Sequence, residues 1–448
     1  MMARRMLLDA SSTTLPPGPG IAPWRQVLAW VARPEWLMEE GHRQRGDVFT
    51  LHLPFGPLVL VVDPDAVKQL LTGDPDLLRA GEGNAPLEPV VGPESLLLLD
   101  GDRHLRRRRL VLPPFHGERL AGYRSDIAAL AAAEVRRWPV GTPFALEPRM
   151  RAVTLDVILR VVFGLDEGPR AARLRELIPQ LLPDGAFSSL LLLPALRRDA
   201  GPRSPWRRFL QARAAVDAAL FAEIAQRRDA PGLAGRGDVL SLLLLARDED
   251  GAPLTDAELG DELMTLLLAG HETTATALAW SFELLHRHPS AHARAVAEAR
   301  ATAPDGPTPW LDAVTAEVLR IKPPLPVAVR GLTRPMTLAG HRLPAGARVA
   351  SAIYLVHRRA DLYPEPRRFR PERFLHRTPD TYTWLPFGGG RRRCVGAAFA
   401  QLELREVLRT VLASADLRPA AARPERTRRR AVVLTPARGA RAVLVSRG

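Results

Sequence analysis

The chain has 448 residues, of which 46% are hydrophobic and 25% are charged, and its formal net charge at pH 7 is +14. These proportions are those of a folded globular protein, and they exclude a disordered or membrane-embedded chain. Lys68 and Lys322 are the only lysines among 63 basic residues, and the arginines are spread along the whole chain. We therefore interpret the charge as composition bias rather than as a nucleic-acid-binding surface.

The cysteine content and the first residues bear on the compartment. Cys394 is the only cysteine and cannot form an internal disulfide, which favours a reducing compartment. The opening MMARRMLLDASSTT contains arginines but no apolar run of signal-peptide length. The apolar runs LLLLP and LLLL fall far short of the roughly 20 residues that cross a bilayer. We expect a cytoplasmic protein without a transmembrane anchor.

The first predicted elements follow a proline-rich lead, so residues 1–20 are expected to be irregular. The segment GDVFTLHLPFGPLVLVV then predicts two short strands on either side of a turn at residues 54–57. From Ser125 onward, apolar residues recur at spacings of three and four. This pattern predicts helices over DIAALAAAEVRRW, RMRAVTLDVILRVVFG and RRFLQARAAVDAALFAEIAQRR.

A long helix is predicted over residues 255–286, because Thr255 and Glu258 have the spacing of a capping box. Another helix is predicted over residues 310–321, followed by strand-like segments, and an amphipathic helix follows Cys394. The last apolar segment, AVVLTPARGARAVLVS, predicts a hairpin. No repeat or long linker interrupts the pattern. The sequence therefore predicts a mostly α fold with small β-sheets (α+β), in which residues 1–448 form a single domain.

The segment FGGGRRRCVG, residues 387–396, places the thiol among arginines and glycines. A thiolate is the form of cysteine that binds metals, and nearby positive charge lowers the pKa of a thiol. Glycines let the backbone approach a large flat partner closely. An isolated cysteine in a basic loop is more often a buried or idle thiol, so the loop composition alone does not establish a metal ligand.

The loop resembles the haem-thiolate loop of the cytochromes P450 at Phe387, Gly390, Arg392, Cys394 and Gly396. The resemblance implies haem b (iron protoporphyrin IX) as the cofactor and Cys394 as the proximal ligand of its iron. It also implies that Phe387 packs near the sulfur and that Arg392 pairs with a haem propionate. Gly388 and Gly396 are expected to lie close to the ring.

The segment AGHETT, residues 269–274, lies in the middle of the long helix. Ala269 and Gly270 are small enough for the haem and its dioxygen to lie against the helix. The hydroxyl of Thr273 can bond to the carbonyl one turn back and loosen the helix there. An isolated Glu-Thr pair would otherwise be interpreted as solvent-facing. The resemblance implies instead that Glu272 and Thr273 deliver protons during catalysis.

Glu317 and Arg320 stand three residues apart on a predicted helix and share a face. Such a pair is usually an exposed ion pair of little consequence for stability. The resemblance implies instead a buried triad with Arg373 of the PERF segment. We assign this triad to folding and haem insertion rather than to catalysis.

His104 and Arg108 lie one helical turn apart in GDRHLRRRRLV. The resemblance implies that they reach one haem propionate, although many family members have tryptophan at the position of His104. Arg330 resembles a further propionate partner, because a bidentate guanidinium suits a carboxylate. Three further arginines of this helix are interpreted as a solvated face that, with Arg391 and Arg393, docks an acidic electron donor. They are Arg106, Arg107 and Arg109.

These four elements imply a monooxygenase that uses dioxygen to hydroxylate or epoxidise an apolar small molecule. No flavin domain is fused to the sequence, so electrons are expected from NAD(P)H through a separate ferredoxin reductase and ferredoxin. Substrate contacts are predicted from residues 80–95 and 179–196 and from the helix before Ala269, since these segments are apolar.

Two other functions are alternatives to a monooxygenase. A peroxide-driven enzyme or an isomerase of the same superfamily would keep the haem, but the presence of Glu272 and Thr273 argues against it. A non-enzymatic basic protein would bind nucleic acid or anionic membrane with strong salt dependence and without haem.

Overall fold

The structure is a computed structural model, and it describes residues 15–117, 119–181, 197–199, 201, 204–303, 306–376 and 380–447. In this part of the chain the α-helices are α1 (Pro23–Ala32), α2 (Pro34–Arg45), α3 (Pro64–Thr72), α4 (Ala80–Asn84), α5 (Glu88–Val91), α6 (Gly101–Val111), α7 (Arg119–Arg136), α8 (Leu146–Val161), α9 (Pro169–Leu181), α10 (Pro205–Arg228), α11 (Val239–Leu245), α12 (Asp256–Arg287), α13 (Pro289–Ala301), α14 (Pro309–Ile321), α15 (Ile353–Val356) and α16 (Ala397–Ser414).

The strands of the described residues are short. They are β1 (Val48–Leu53), β2 (Gly56–Val61), β3 (Leu78–Arg79), β4 (Pro143–Ala145), β5 (Ala328–Leu332), β6 (Met336–Leu338), β7 (His341–Leu343), β8 (Arg348–Ser351), β9 (Ala415–Pro419), β10 (Thr427–Arg430), β11 (Val433–Pro436) and β12 (Arg441–Arg447). The prediction of a mostly α fold with small sheets is confirmed.

The largest sheet has the strand order β1-β2-β8-β5-β3. The predicted N-terminal hairpin forms its edge, with Val48 paired to Val61, and β2 then runs parallel to β8. One face of this sheet is buried against the N-terminal helices, where Phe49 and Leu60 are fully enclosed. The sheet places β5, and with it Arg330, between β8 and β3.

Helix α12 runs for 32 residues through the helical part of the molecule, a length of about 48 Å. It begins as predicted, because the Glu258 amide donates to the Thr255 hydroxyl (3.2 Å) and the Thr255 amide donates to the Glu258 carboxylate (2.9 Å). Most of its side chains are buried against neighbouring helices, including Trp280 and Phe282. The apolar composition of this segment therefore reflects a helix surrounded by protein.

The predicted C-terminal hairpin is wrong. β11 pairs with β10, and β12 pairs with β4 and β9 rather than with β11. The chain turns at Ala431 and again at Gly439 and Ala440, all with positive φ, so two tight turns direct the strands to different sheets. Strand propensity identifies the strands but not their partners, because pairing depends on distant segments.

Among the described residues, none of the helices combines the length and the apolar character that a membrane span requires.

Candidate functional site

The segment from Phe387 to Gly396 forms a tight loop before α16. The Cys394 amide donates to the Phe387 carbonyl at 2.9 Å, which closes the loop. Gly388 and Gly390 have φ of 65° and 62°, and a Cβ at Gly390 would lie 2.1 Å from the Leu71 carbonyl oxygen. Glycine is therefore required at residue 390 by both the backbone conformation and the approach of α3.

Phe387 packs edge-to-face on Trp384, with ring centroids 5.9 Å apart. A Cβ at Gly396 would meet no atom within 4 Å, so the loop is open on that side. The loop thus combines one tightly packed side with one side that leaves room for a close neighbour.

The Cys394 side chain is solvent-accessible, yet it lies deep enough in the fold that desolvation raises the pKa of its thiol. The thiol is therefore accessible although protein surrounds it on most sides. The Gly396 amide and the charges of Arg108 and Arg393 act in the opposite direction but do not outweigh burial. The arginine charges therefore act in the direction that the sequence predicts, and burial has the larger effect on the pKa. A bound metal ion would supply the missing stabilisation of the anion.

Helix α12 also carries a strip of solvent-accessible residues along one of its faces. Ala269 is exposed and Thr273 is half-buried, although the helix around them is mostly buried. The two residues are four apart and share a face. The Thr273 hydroxyl donates to the Ala269 carbonyl at 2.8 Å, as predicted. The strip offers one small side chain and one hydroxyl.

Gly270 also lies close to helix α8. A Cβ at this position would lie 2.7 Å from Cδ1 of Ile158, so the glycine leaves room for that side chain. Hydroxyls engage three successive carbonyls here: Thr273 bonds to Ala269, Thr274 to Gly270 (3.0 Å) and Thr154 of α8 to His271 (3.1 Å). Such competition for backbone carbonyls locally loosens a helix.

Glu272 is buried and points to β10, where its carboxylate binds Arg430, and it also lies 3.3 Å from Nε2 of His271. Burial by itself would raise the pKa of Glu272. The hydrogen bond with His271 and the charges of Arg430 and Arg151 outweigh burial and lower that pKa. Glu272 is therefore a carboxylate held in an ion pair. It shares no contact with the Thr273 hydroxyl, which bonds to Ala269.

His104 of α6 is buried beside three guanidinium groups. Burial, followed by the charges of Arg392, Arg108 and Arg330, lowers the pKa of His104 to about 3. Its ring is consequently neutral at physiological pH. Arg330 on β5 is also buried, and burial lowers its pKa to about 10. The structure thus brings the four predicted propionate partners into one cluster.

Arg392 donates to the carbonyls of Leu96 (3.2 Å) and Leu99 and forms an ion pair with Asp100. Asp100 also accepts from the Gly81 amide at 3.0 Å, so it connects α4, α6 and the cysteine loop. Sequence reasoning missed Asp100, since its position before a helix suggests only a cap.

The net charge of this cluster indicates whether a group that carries carboxylates could bind there. Arg108, Arg330 and Arg392 carry three positive charges against the single negative charge of Asp100, which leaves an excess of two. Buried charges are usually paired, so two further anionic groups are expected nearby. Two propionates would supply them, and the donor set therefore fits haem.

Of the three arginines interpreted as a solvated docking face, Arg107 is buried, so the interpretation is wrong for Arg107, while Arg106 is partly exposed and Arg109 is exposed. Arg107 is 1% exposed and binds Glu258 and the Glu94 carbonyl (2.6 Å). The other two are already paired with acids of the segment before and at the start of α12: Arg106 with Asp248 and Glu258, and Arg109 with Glu249. These arginines connect α6 to the N-terminal end of α12.

Glu317, Arg320 and Arg373 meet as predicted. Arg320 donates to both oxygens of Glu317 at 2.7 and 2.8 Å, and both side chains are fully buried. Arg373 Nε lies 3.2 Å from the same carboxylate. The Arg370 amide adds a bond of 2.8 Å, so Glu317 is saturated with donors.

His357 was missed and links the triad to the cysteine loop. It is fully buried, with Nδ1 3.0 Å from the Arg320 carbonyl and Nε2 2.8 Å from the Leu385 amide. Arg320 in turn donates to the His357 carbonyl at 2.7 Å. No sequence spacing indicated this histidine, because its partners are backbone atoms of distant segments.

The predicted substrate segments are only partly described. Residues 80–95 contain α4 and α5, and Ser95 accepts from the Thr265 hydroxyl of α12 at 2.7 Å. Of the segment 179–196, residues 182–196 lie outside the described residues.

Comparisons with known proteins cover nearly the whole chain. The family model for "Cytochrome P450" matches residues 16–442. Cytochrome P450 135B1 of Mycobacterium tuberculosis strain H37Rv is 45% identical over 435 residues, covering 96% of this chain and 91% of that protein. Cytochrome P450 137 of the same strain is 41% identical over 416 residues, covering 93% of this chain and 86% of that protein.

Solved structures show the same fold. The cyanobacterial CYP120A1 with bound retinoic acid has a TM-score of 0.83 and 26% identity, covering 97% of this chain and 100% of that chain. The haem domain of cytochrome P450DA has a TM-score of 0.82 and 23% identity, covering 97% and 98% of the two chains, and it supports the fold alone.

Proposed function

The chain belongs to the cytochrome P450 family, and we propose that it is a haem-thiolate monooxygenase that oxidises an apolar small molecule with dioxygen. One oxygen atom enters the substrate by hydroxylation or epoxidation, and the other is reduced to water with two electrons and two protons. The observation that carries this proposal is an accessible thiol inside the fold beside a cluster with two uncompensated positive charges.

The residues that would hold haem b come from four parts of a single haem domain. Cys394 would bind the iron, and Phe387, Gly388 and Gly396 would surround the thiolate side. The propionates would be held by the arginine cluster and by His104, whose neutral ring accepts or donates one hydrogen bond. When bound, the haem supplies dioxygen activation, which no protein side chain provides.

Protons are proposed to reach the cavity through Thr273. Its hydroxyl donates to Ala269 in the present conformation, and a hydroxyl can rotate to donate elsewhere. Glu272 would deliver protons only after leaving Arg430, because a carboxylate in that ion pair has no proton to give. We propose that Glu272 takes up and donates a proton only when its ion pair with Arg430 is broken.

The substrate is proposed to be an apolar molecule such as a terpenoid, fatty acid, steroid or polyketide. The accessible strip of α12 offers Ala269 and a single hydroxyl, with Leu266 one turn earlier. A pocket with this lining selects for apolar shape rather than charge. The structurally similar CYP120A1, which was solved with retinoic acid bound, lends support to this substrate class.

Electrons are proposed to come from a ferredoxin that is reduced by a ferredoxin reductase with NAD(P)H. Arg391 and Arg393 flank the thiol and are exposed, and neither has a carboxylate partner among the described residues. An acidic protein would be attracted to this surface, with strong dependence on ionic strength. The single cysteine agrees with a cytoplasmic location for this exchange.

The experiment that tests the proposal has two stages. Apolar compounds are first screened with the haem-loaded protein for a shift of the haem absorption bands on binding. A compound that binds is then incubated with ferredoxin, its reductase and NADPH under ¹⁸O₂. The proposal expects one labelled oxygen in the product. A labelled product only with H₂¹⁸O₂, or an isomer without label, would establish another reaction.

A further inference from the structure

Three large apolar side chains are exposed on the N-terminal helices. Trp24 and Leu28 of α1 are each 61% exposed, and Trp36 of α2 is 45% exposed. Trp24 and Leu28 are four residues apart, so they share the outer face of α1, where Ala32 follows them one turn later. The inner face of the same helix is buried through Gln26, Ala29 and Trp30.

A fourth exposed apolar residue follows a lysine that contacts α2. Glu35, next to Trp36, binds Lys322 Nζ at 2.9 Å, and Lys322 also donates to Thr427 of β10 at 2.8 Å. Leu325, which is 37% exposed, follows Lys322 by three residues. We define the N-terminal apolar patch as Trp24, Leu28, Trp36 and Leu325.

The charges near the patch are unbalanced. Arg25 and Arg33 on or next to α1, and Arg426 just before β10, are exposed and have no carboxylate partner among the described residues. The acids of α2, in contrast, are all paired: Glu35 with Lys322, Glu39 with Arg367, and Glu40 with Arg43. Helix α1 contains no acid. In α1 and α2, which the structure describes in full, the surface therefore offers apolar groups and free positive charge without free negative charge.

We propose that the N-terminal apolar patch binds the surface of a membrane that contains anionic phospholipids. Tryptophan and leucine enter the interface between headgroups and acyl chains, while arginines bind the phosphates. Arg25 lies over the Trp24 ring at 5.1 Å, an arrangement that keeps the cation at the edge of the apolar surface.

A second copy of the chain fits this surface less well. In a two-fold dimer the same patch faces itself, so the unpaired Arg25, Arg33 and Arg426 would face a surface that carries the same three unpaired arginines. A lipid surface supplies many negative charges and has no such penalty. The proposal does not rest on the monooxygenase function, although an apolar substrate would also concentrate in lipid.

The test measures sedimentation of the haem-loaded protein with vesicles made of equal parts of phosphatidylglycerol and phosphatidylcholine. The variant Trp24→Ser/Leu28→Ser removes apolar groups from α1 but no charge. The matched control, Val140→Ser/Leu210→Ser, changes two side chains that are 51% and 42% exposed elsewhere. An unchanged haem spectrum shows that both variants remain folded.

The proposal expects wild type and control to sediment with these vesicles and weakly with pure phosphatidylcholine. The Trp24→Ser/Leu28→Ser variant should lose at least about tenfold in vesicle affinity, given the free energy of burying two large apolar side chains. Two results would overturn the proposal: no sedimentation of wild type, or equal affinity of the α1 variant. If wild type does not sediment but forms dimers that this variant abolishes, as measured by light scattering, the patch binds a second copy instead.

Discussion

Arg430 of β10 binds the carboxylate of Glu272 in the middle of α12, a contact between residues 158 positions apart in sequence. Both side chains are buried, at 3% and 8% exposure. The acid of the AGHETT segment is therefore positioned by a strand near the C-terminus, and Thr273 beside it makes separate contacts. The proposed proton donor and the proposed proton relay are adjacent in sequence but are held by different parts of the fold.

Replacing Arg430 tests how much this buried ion pair contributes to the free energy of unfolding. Arg430→Met leaves a buried carboxylate without its partner, which typically costs about 3–5 kcal/mol. Urea unfolding should show this loss, and the pKa of Glu272 should rise. Arg418→Met is the control, because Arg418 is exposed and lies 3.9 Å from Asp416, so a change below about 1 kcal/mol is expected. A similarly small change for Arg430→Met would show that the buried ion pair does not stabilise the fold.

The lowered pKa of Glu272 also predicts a pH dependence of stability. In the folded state this pKa lies below its usual value of 4.5, so the carboxylate stabilises the fold above about pH 4.5. The stabilisation is lost as the pH falls through the folded pKa. Unfolding free energies measured between neutral and acidic pH should therefore fall less steeply in Glu272→Gln than in wild type. Identical slopes would contradict the ion pair.

The triad around Glu317 is predicted to support folding. Glu317→Gln leaves Arg320 buried without its counter-charge, and we expect a loss of about 3–5 kcal/mol and poor haem incorporation. Glu372→Gln is the matched control, since this glutamate is exposed in the PERF segment. Thermal unfolding and the haem-to-protein absorbance ratio measure both effects. A variant of Glu317 that folds and binds haem normally would exclude the structural assignment.

Thr273→Ala is predicted to uncouple electron consumption from product formation, because the variant removes the hydroxyl proposed to relay protons. Product per NADPH should fall about tenfold or more. Ser281→Ala is the control, since Ser281 also bonds to the carbonyl four residues back, at 2.8 Å, but is buried two turns beyond Thr273. Tight coupling in the Thr273 variant, or equal uncoupling in the control, would remove Thr273 from the proton route.

Local patterns determined much of what the sequence could predict. The capping box at Thr255 fixed the start of α12 because both of its bonds are made within three residues. The pair Glu317 and Arg320 was predictable for the same reason, and its burial followed from the family resemblance. Patterns of this kind depend on helical spacing, which a single sequence displays directly.

Partners from distant segments could not be predicted. Arg430, Asp100 and His357 bind site residues through contacts that span different sheets and helices. The contact between Gly270 and Ile158 could not be predicted either, because it depends on how α8 packs. Arg107 was placed on the surface, since an arginine run gives no sign that acids of a later helix will bury one member.

The central claim is that Cys394 binds haem iron, and the carbon monoxide spectrum of the reduced protein tests it most directly. The account predicts the red-shifted Soret band of thiolate ligation in wild type, and its loss in Cys394→Ser. Cys394 is the only cysteine in the chain, so no other thiol can substitute. A colourless protein, or a band that is unchanged in Cys394→Ser, would contradict the assignment of the site.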